Sequence, residues 1–528
     1  MRILIVTGKL AEPLIKDIVS KTKTVHKVDV ISLPITVAAL ASTELIARNL
    51  KALGIRKGMY DLILIPGYSQ GSAKIIEETI GIPAVKGTLH AYDIPVILSL
   101  EDPLKILSSE KPADEIIKNE ILRLNKSILI DLEKAVDSKE HIIIGNVKIP
   151  IDPPPIRIIA EISDCHLMSV DDILNKAHEL IEKGADIISL GFEAGNPHSD
   201  LVYKVIKYLR KHIRKPIAID SIIPSEIKSA IQAGVDMVLS IEYGNIEHVY
   251  KYISEVPVVL IPYDSRTNYL PKNPLEKVGL LSKLIDKARN LGIKTIIADP
   301  ILEPPIVRNT FSSLLAYKML KEKIKDIPLL AGIGNVTELI DADSHGVNAL
   351  LTILLLEIGV PLFLVVEKST KAQDSVRETK IAAQMASLAL MRKTPPKDLG
   401  IDLLILKDKR REITPLEKEG AVIVNAKEEY TYEIDPMGIF KIRVNYTDRV
   451  IEALYIGRKG KILIRGKTAR AIQNMILKMG LVSKLSHAFY LGIELSKAEE
   501  ALRLKKNYIQ EKPLFSEKQP IKLENDLR

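Results

Sequence analysis

The sequence has very little cysteine, no tryptophan and no long apolar run, and each absence narrows what the chain can be. Its 528 residues include one cysteine, Cys165, so no intramolecular disulfide can form, which fits a reducing cytoplasm. No stretch approaches the roughly 20 consecutive apolar residues of a membrane-spanning helix. The N-terminus, MRILIVTGKLAE, lacks the apolar core and cleavage site of a signal peptide. These absences predict a cytoplasmic protein without a membrane partner.

An excess of charge of one sign is also missing. The 75 Lys and Arg residues stand against 67 Asp and Glu residues, so the net charge of +8 belongs to a mixed surface, and no nucleic-acid partner is predicted. Aromatic residues make up 4% of a chain that is 46% hydrophobic, so the core is aliphatic. Abundant Ile, Lys and Glu with few Gln residues resemble thermophile usage. A chain of this length predicts two to four domains.

What is present is an eightfold repeat within 157–367, in which a short apolar run is followed each time by a helix-like stretch. Such runs, rich in Ile, Val and Leu, are typical of strands buried on both faces of a parallel sheet. Strand and helix in eightfold alternation predict a (β/α)8 barrel of roughly 200 to 250 residues. The predicted strands are 157–161, 186–191, 216–220, 235–240, 257–261, 295–299, 328–332 and 361–367.

The barrel fold also predicts where a site lies, because chemistry in such barrels occurs at the C-terminal ends of the strands. The side chains and glycines at these ends are the candidates. They are Glu161, Gly191, Glu193, Asp220, Ser240, Asp264, Asp299, Asn335 and Glu367.

Residues before the barrel predict a separate domain, 1–148, with a doubly wound parallel sheet. Its predicted strands are 3–7, 28–31, 62–66 and 95–100, and a long charged helix is predicted over 113–135. Gly67 and Gly71 precede a helix, where backbone amides can meet an anion, but neither a dinucleotide fingerprint nor a P-loop is complete. An ordinary strand-to-helix turn explains the same residues.

Two proline clusters predict the remaining boundaries. The consecutive prolines of 151–155 form a stiff linker into a barrel domain, 149–394, and prolines 395 and 396 end its last helix. A small α+β domain, 398–512, is predicted to contain a hairpin turning at Gly457–Gly460 and helices at 468–479 and 485–504. The basic turn can meet a phosphate or simply be solvated. The charged segment 513–528 is predicted to be a disordered tail.

Two aspartates at strand ends indicate the kind of ligand. Asp220 ends PIAID and Asp299 ends TIIAD, so the carboxylates sit at the rims of strands three and six. Buried acceptors that face one pocket select a ligand with several N–H donors, such as the 2-amino, N3–H edge of a pterin. The alternative is that each aspartate caps the next helix or binds a loop amide.

The segments GADIISLGFEAG, PIAIDS, EIKSAIQAGVDMV, TIIADP and PLLAGIGNV, in this order, resemble the pterin-binding barrel of dihydropteroate synthases and corrinoid-dependent pterin methyltransferases. The three-part layout looks closest to archaeal dihydropteroate synthase-like proteins. The resemblance implies a pterin as substrate or cofactor. It implies a pterin site formed by Asp220, Asp299, Asn335, Glu193, Gly332 and Ser240.

Several positions depart from the synthase pattern. Glu161 stands where the first strand usually carries Asn, and the strand-two loop lacks the usual Arg. Strand seven lacks the synthase Lys, and Asn335 instead matches the methyltransferase form, in which it hydrogen-bonds pterin N5. Strand eight lacks the Arg and His that grip the diphosphate leaving group.

Catalysis by this chain therefore needs substitutes for the lost cations, because a departing diphosphate must be stabilised by Lys, Arg or Mg²⁺. Lys368 and Lys371 follow strand eight, where barrels often bind phosphate. Mg²⁺ held by Glu161 or Asp164 is the other expectation. The basic residues are equally explained as solvated charges of a first helical turn.

The resemblance leaves three functional hypotheses open. The first is a transferase that joins a 6-hydroxymethyl-dihydropterin diphosphate to an arylamine, simple or ribosylated, in folate or methanopterin biosynthesis. The second is an N5-methyl-pterin methyltransferase with a corrinoid protein as its partner. The third is a pterin-binding protein without catalysis. A homodimer is expected in each case.

Overall fold

The computed structural model describes residues 1–193, 195–409, 416, 419–427, 433–515, 518 and 520. The chain divides into two compact units, Met1–Lys409 and Arg410–Arg528. The finer boundaries at 148, 394 and 398 stay predictions. Most of the predicted disordered tail, 513–528, lies outside the described residues. No helix in the described part of the chain is long and apolar enough to cross a membrane.

The first unit begins with a four-stranded parallel sheet in the order β2-β1-β3-β4. Its strands and helices are β1 (Arg2–Gly8), α1 (Glu12–Lys21), β2 (Lys27–Leu33), α2 (Thr43–Ala52), β3 (Leu62–Ile65), α3 (Lys74–Ile80), β4 (Ala84–Lys86), α4 (Ile94–Leu98), α5 (Pro103–Ile106), α6 (Ala113–Ile116) and α7 (Lys118–Ala135).

One strand prediction in this sheet was wrong. The run 95–100 was expected to be the fourth strand, but its residues form the helix α4, and Ala84–Lys86 is the strand. Val96, Ile97 and Leu98 are all buried, and a short run that is buried on every side has no periodicity that separates helix from strand. Pro95 lies in the first turn of α4, where its missing N–H is not needed.

A short hairpin then leads into the barrel. The hairpin strands are β5 (His141–Ile144) and β6 (Val147–Pro150). The barrel elements are β7 (Arg157–Ile162), α8 (Val170–Glu182), β8 (Ile187–Gly191), α9 (Ser199–His212), β9 (Ile217–Asp220), α10 (Pro224–Ala233), β10 (Met237–Ile241), α11 (Ile246–Ile253), β11 (Val258–Leu260), α12 (Pro274–Asn290), β12 (Ile296–Ala298), α13 (Thr310–Lys323), β13 (Leu330–Gly332), α14 (Gly334–Thr337), α15 (Ser344–Ile358), β14 (Leu362–Val366) and α16 (Ser375–Arg392).

The eight predicted barrel strands are confirmed. They form one parallel sheet in the order β12-β11-β10-β9-β8-β7-β14-β13. The sheet closes through a parallel bridge between Ala298 and Leu329, with the Ala298 amide donating to the Pro328 carbonyl at 3.1 Å. The fold is therefore a (β/α)8 barrel.

Alternate residues of each strand face opposite sides, which separates an inner from an outer core. The inner core consists of Ile159, Ile187, Ala218, Met237, Leu239, Val259, Ile297, Leu330 and Leu362, together with Ile144 and Ile149 of the hairpin. The hairpin turn at Gly145 lies beside Pro216 and Asp236, which precede β9 and β10. The hairpin thus covers the N-terminal end of the barrel and leaves the C-terminal end for a site.

The second unit contains an antiparallel sheet and two helices. Its elements are β15 (Gly438–Asn445), β16 (Val450–Gly457), β17 (Gly460–Gly466), α17 (Ala469–Lys478) and α18 (Leu485–Leu504). The predicted hairpin turn is confirmed between β16 and β17, and Gly460 has the positive φ of 86° that favours glycine. Phe440, Tyr455, Ile472 and Leu495 belong to the core between sheet and helices.

Candidate functional site

Three carboxyl side chains meet at the C-terminal end of the barrel. Ile159, Ala218 and Ile297 face the barrel interior, so alternation places Glu161, Asp220 and Asp299, each two residues later, on the same side. The Asp299 amide continues the strand ladder by donating to the Leu260 carbonyl at 2.9 Å. Strands one, three and six therefore each contribute an acid to one mouth.

Asp220 is held by its neighbour on strand four. The Ser240 hydroxyl donates to Asp220 Oδ1 at 2.6 Å. Alternation alone would point Ser240 outward, but its φ of 67° and a register shift between Val238 and Ile241 turn it back. Asn245 fixes this strained backbone by donating to the Ser240 carbonyl at 3.1 Å. Burial raises the pKa of Asp220, and the hydrogen bond from Ser240 acts in the opposite direction.

Asp299 is the most enclosed of the three acids, with 9% exposure. Tyr317 donates its hydroxyl to Asp299 Oδ1, and the Ile301 amide donates to the same oxygen at 2.7 Å. Burial raises the pKa of Asp299 from 3.8 to about 6, although both hydrogen bonds act in the opposite direction. Ile301 has a φ of 67°, which is strained for a β-branched residue.

A buried ion pair supports the loop after Asp299. Lys277 Nζ lies 2.6 Å from Glu303 Oε2, and the two side chains are 1% and 3% exposed. Lys277 also donates to the Ile301 carbonyl at 3.3 Å, and Arg308 pairs with the other oxygen of Glu303. These contacts hold the strained backbone in place. The charge of Lys277 also opposes the rise in the pKa of Asp299.

The alternative role of the two aspartates was to cap the next helix or to bind a loop amide, and the structure differs between them in this respect. Helix α10 begins at Pro224, its N-cap is Ile223 and no side chain caps it, so Asp220 is not a helix cap. Asp299 does bind a loop amide, that of Ile301. Only one of its oxygens is used in that contact and in the contact with Tyr317.

Glu161 occupies space that Gly191 leaves open. A Cβ added at Gly191 would lie 2.7 Å from Glu161 Oε1, which also accepts the Ser163 hydroxyl at 2.9 Å. Burial and then the neighbouring charge of Asp220 raise the pKa of Glu161 from 4.5 to about 7. The mouth thus contains a carboxyl whose protonation changes near neutral pH.

We expect Gly191→Ala to move the Glu161 carboxylate without unfolding the protein. The clash involves the far end of a flexible side chain, so we expect the free energy of unfolding to change by less than about 1 kcal/mol. The apparent pKa of Glu161, followed by carboxyl infrared or NMR titration, should shift measurably. Gly279→Ala is the control, because an added Cβ there meets nothing within 4 Å. An unchanged Glu161 titration would contradict the close contact.

Asn335 lies beside Gly332 at the end of strand seven. Its Nδ2 donates to the Leu302 carbonyl at 2.9 Å, and a Cβ at Gly332 would come within 3.4 Å of that nitrogen. Because a carbonyl can only accept, the contact determines which way the amide points. Within the described residues Oδ1 accepts no hydrogen bond, so this oxygen is available to a ligand that donates.

The two lysines after strand eight have different partners. Lys368 Nζ lies 2.8 Å from Asp164 Oδ2, and this contact raises the pKa of Lys368. Asp164 follows strand β7, so Lys368 lies near the end of that strand, where its charge opposes the rise in the pKa of Glu161. Lys371 instead donates to the Ile340 carbonyl at 2.8 Å and to Asp341 at 2.9 Å. Lys368 is therefore the better placed cation.

The other predicted rim acids have local partners. Glu193 is exposed and accepts from Asn196 at 3.1 Å, with His198 Nε2 at 3.3 Å. Asp264 pairs with Arg266 of its own loop at 2.7 Å. Glu367 turns into the helix layer, where it forms a buried pair with Lys183. Of these three, Glu193 alone remains a candidate for ligand contact.

A Mg²⁺ site gains no support from the geometry. Across the described ranges, no group of three or more His, Cys, Asp and Glu side chains is arranged so that it could hold a metal ion. Asp164, one of the two expected ligands, is paired with Lys368. The expectation that Glu161 and Asp164 hold Mg²⁺ therefore has no structural basis here.

Comparison with known families agrees with this barrel. Residues 161–352 match a family described as pterin binding enzyme, residues 434–511 match the family PterinBD-DUF4346, and residues 1–89 match a family of unknown function, DUF6513. The barrel segment is thus similar to the family described as pterin binding enzyme.

The chain belongs to the same family as the uncharacterized protein MJ0107 of Methanocaldococcus jannaschii. The two are 36% identical over 533 residues, which cover 98% of this chain and 99% of that protein. A dihydropteroate synthase of Clostridium beijerinckii is 26% identical over 177 residues, covering 31% of this chain and 65% of that enzyme.

Solved dihydropteroate synthases overlap with about half of the chain. The enzyme of Xanthomonas albilineans in complex with 7,8-dihydropteroate has 20% identity and a TM-score of 0.38, covering 48% of this chain and 99% of its own. The Yersinia pestis enzyme has 17% identity and a TM-score of 0.38, and the match likewise covers 48% of this chain and 99% of that enzyme.

Proposed function

We propose that the barrel mouth binds a reduced pterin through Asp220 and Asp299. The observation that carries this proposal is the pair of enclosed carboxyls on strands three and six, each already oriented by one or more donors. An ionised carboxylate only accepts hydrogen bonds, so the pair selects a ligand edge with several N–H groups. The 2-amino and N3–H groups of a pterin have this pattern.

The selectivity follows from the cost of leaving buried polar groups without partners, roughly 1 to 3 kcal/mol each. A purine-like or aromatic ring without adjacent N–H donors would leave the carboxylates of Asp220 and Asp299 without hydrogen-bond partners. Gly191 and Gly332 end strands β8 and β13, and because they lack side chains, Glu161 and Asn335 can lie close to the strand ends. Ser240 and Glu193 are the further polar groups proposed for the rim.

For the reaction, we propose condensation of a 6-hydroxymethyl-dihydropterin diphosphate with an arylamine, as in folate or methanopterin biosynthesis. The amine nitrogen forms a bond to the pterin methylene carbon, and the C–O bond to diphosphate breaks. Lys368 would stabilise the negative charge on the departing diphosphate. Lys371, whose ammonium is engaged by Ile340 and Asp341, has at most a secondary part.

A second candidate is supported by Asn335. Its Oδ1 can accept from a pterin N5–H, which tetrahydropterins carry and 7,8-dihydropterins lack. This favours N5-methyl transfer from a protonated methyl-tetrahydropterin. A corrinoid protein would be the methyl acceptor in that case, because a methyl cation leaving N5 needs a strong nucleophile.

The experiment that separates these functions is calorimetric titration with a reduced pterin, its diphosphate with and without Mg²⁺, and the N5-methyl form. For condensation we expect the diphosphate to bind tightest. Lys368→Gln should then weaken the diphosphate roughly tenfold to a hundredfold, the loss of one charge-assisted hydrogen bond, and leave the parent pterin unchanged.

Lys371→Gln is the matched control and should bind the diphosphate almost as the wild type does. Tightest binding of the N5-methyl form would favour methyl transfer. Equal binding of all forms without product formation would mean a binding protein without catalysis. Absence of binding to any of these pterins would contradict the proposed function.

A further inference from the structure

The carboxylate of Glu338 occupies two main-chain donors of the loop after strand eight. Glu338 follows helix α14 in the loop after strand seven, and its Oε1 accepts the Lys368 amide at 3.0 Å and the Ser369 amide at 3.1 Å. Its Oε2 lies 3.3 Å from the same Ser369 nitrogen. In the described part of the chain Glu338 has no Lys or Arg within 4 Å, so main-chain N–H groups hold this charge.

The same two loop residues carry two further donors. The Ser369 hydroxyl is buried and has no hydrogen-bond partner among the described residues. The Lys368 ammonium lies 2.8 Å from Asp164 Oδ2, in a pair whose side chains are 64% and 43% exposed. Two adjacent amides, a hydroxyl and an ammonium therefore lie together, and two acids of the chain itself, Glu338 and Asp164, bind three of these four donors.

This arrangement has the chemistry of a phosphate subsite whose donors are already in use. Successive main-chain N–H groups form anion-binding concavities, and barrels often bind phosphate between the loops after strands seven and eight. A carboxylate presents two anionic oxygens to adjacent donors, as a phosphoryl group does. The Glu338 carboxylate therefore lies where a phosphoryl group of a ligand would lie.

We propose that the amides of Lys368 and Ser369, with the Lys368 ammonium, form the subsite for a diphosphate, and that Glu338 blocks this subsite until the ligand displaces it. The choice of a diphosphate rests on the proposed function. The contact between Glu338 and the Lys368 amide is exposed to solvent, so the carboxylate can leave by rotation of its own side chain. Lys371 keeps the loop in place meanwhile, because it donates to the Ile340 carbonyl.

The test is calorimetric titration of the full-length chain with inorganic pyrophosphate in the absence of Mg²⁺. We expect Glu338→Gln to bind pyrophosphate roughly tenfold more tightly than the wild type, because the ligand no longer displaces a negative charge. The amide oxygen of the variant can still accept from both N–H groups, which keeps the loop folded. Glu357→Gln is the matched control, since Glu357 is exposed in the last turn of α15, and should bind as the wild type does.

Asp164→Asn tests the ammonium separately. Asp164 has a φ of 55°, which asparagine tolerates, so the variant should fold. Removing one partner of an exposed pair should tighten pyrophosphate binding roughly two- to fivefold. In the wild type and in Glu338→Gln, Lys368→Gln should weaken this binding, and a loss of affinity in both backgrounds locates the ligand at this loop.

The opposite results are equally defined. If Glu338 only ties the two loops together, Glu338→Gln leaves pyrophosphate affinity unchanged or lowers it, and either result would overturn the proposal. So would pyrophosphate binding that is insensitive to Lys368→Gln, or no binding in any variant. Circular dichroism should show that all variants are folded.

Titration with the parent reduced pterin, which has no diphosphate, separates this inference from the proposed function. Glu338→Gln should leave the affinity for that pterin unchanged. If the pterin binds and Glu338→Gln brings no gain for pyrophosphate, the blocked subsite alone is rejected. A gain for pyrophosphate without any pterin binding would contradict the proposed function and support the subsite.

Discussion

Asp299→Asn is expected to lower the affinity for a reduced pterin at least a hundredfold. The substitution removes the charge of an acceptor that is 9% exposed and turns part of it into a donor that faces the donors of the ligand. Loss of a charge-assisted hydrogen bond together with an unpaired buried group costs about 3 kcal/mol or more, which corresponds to a factor of about 100 or more. Calorimetric titration of the wild type and the variant measures the loss.

The matched control is Asp264→Asn, another carboxylate from a strand-end loop. Its side chain is paired with Arg266 in the same loop, so we expect pterin affinity to stay within twofold of the wild type. In the Asp299→Asn variant, Tyr317 can still donate to the amide oxygen of the new side chain, which should keep that variant folded. Equal dissociation constants for wild type and Asp299→Asn would contradict the assignment of this acid to the pterin.

The same carboxyl should make binding depend on pH. The raised pKa of Asp299, about 6, means that the group is protonated below pH 6 and accepts poorly there. Affinity should therefore increase around pH 6, and the ionisation of Glu161, whose pKa is about 7, should add a second step before the affinity levels off. In Asp299→Asn the lower step should be absent.

Lys277→Met is expected to destabilise the first unit by about 3 to 5 kcal/mol, the usual cost of removing one partner from a buried ion pair. Glu303 would keep its charge inside the protein with only Arg308 as a partner, and the Ile301 carbonyl would lose a donor. The midpoint of urea unfolding, followed by circular dichroism, should fall clearly. Because Ile301 belongs to the loop after Asp299, pterin affinity should fall as well.

Lys287→Met in the same helix is the control. Lys287 pairs with Glu247, which is largely exposed, and such pairs contribute roughly 0 to 1 kcal/mol. A double variant, Lys277→Met with Glu303→Leu, should recover most of the lost stability, because both deeply buried charges are removed and the only charge that loses a partner is Arg308, which is 27% exposed. An unfolding midpoint of Lys277→Met equal to that of the wild type would rule out a structural role for the pair.

The sequence predicted the barrel well because its strands are buried on both faces. Each appears as a short apolar run, and the run lengths differ from those of the observed strands by one or two residues. The inward direction of Glu161, Asp220 and Asp299 also follows from the two-residue period of a strand. The failure at 95–100 has the same origin, because complete burial removes the periodicity that separates a strand from a helix.

The contacts that orient the site could not be predicted in this way. Tyr317 and Lys277 lie in helices α13 and α12, far along the chain from Asp299. The one available signal was a lysine in an apolar stripe, since Lys277, Leu281 and Leu284 share a helix face. Ser240 was a candidate by its place at a strand end and by the family resemblance, but the positive φ that turns its hydroxyl towards Asp220 has no local sequence signal.

By itself, then, the sequence determined the barrel, the end at which its site lies and the three acids that point into it. These features follow from the pattern of apolar residues and the two-residue period of a strand, both of which can be recognised within each segment alone. The tertiary structure alone decided that Lys368 pairs with Asp164 and Lys371 with Asp341, that Glu367 turns into the helix layer, and that Tyr317 and Lys277 support Asp299. Such pairings depend on which distant segments the closed barrel brings together, and on charges that are stable inside only when a partner is present.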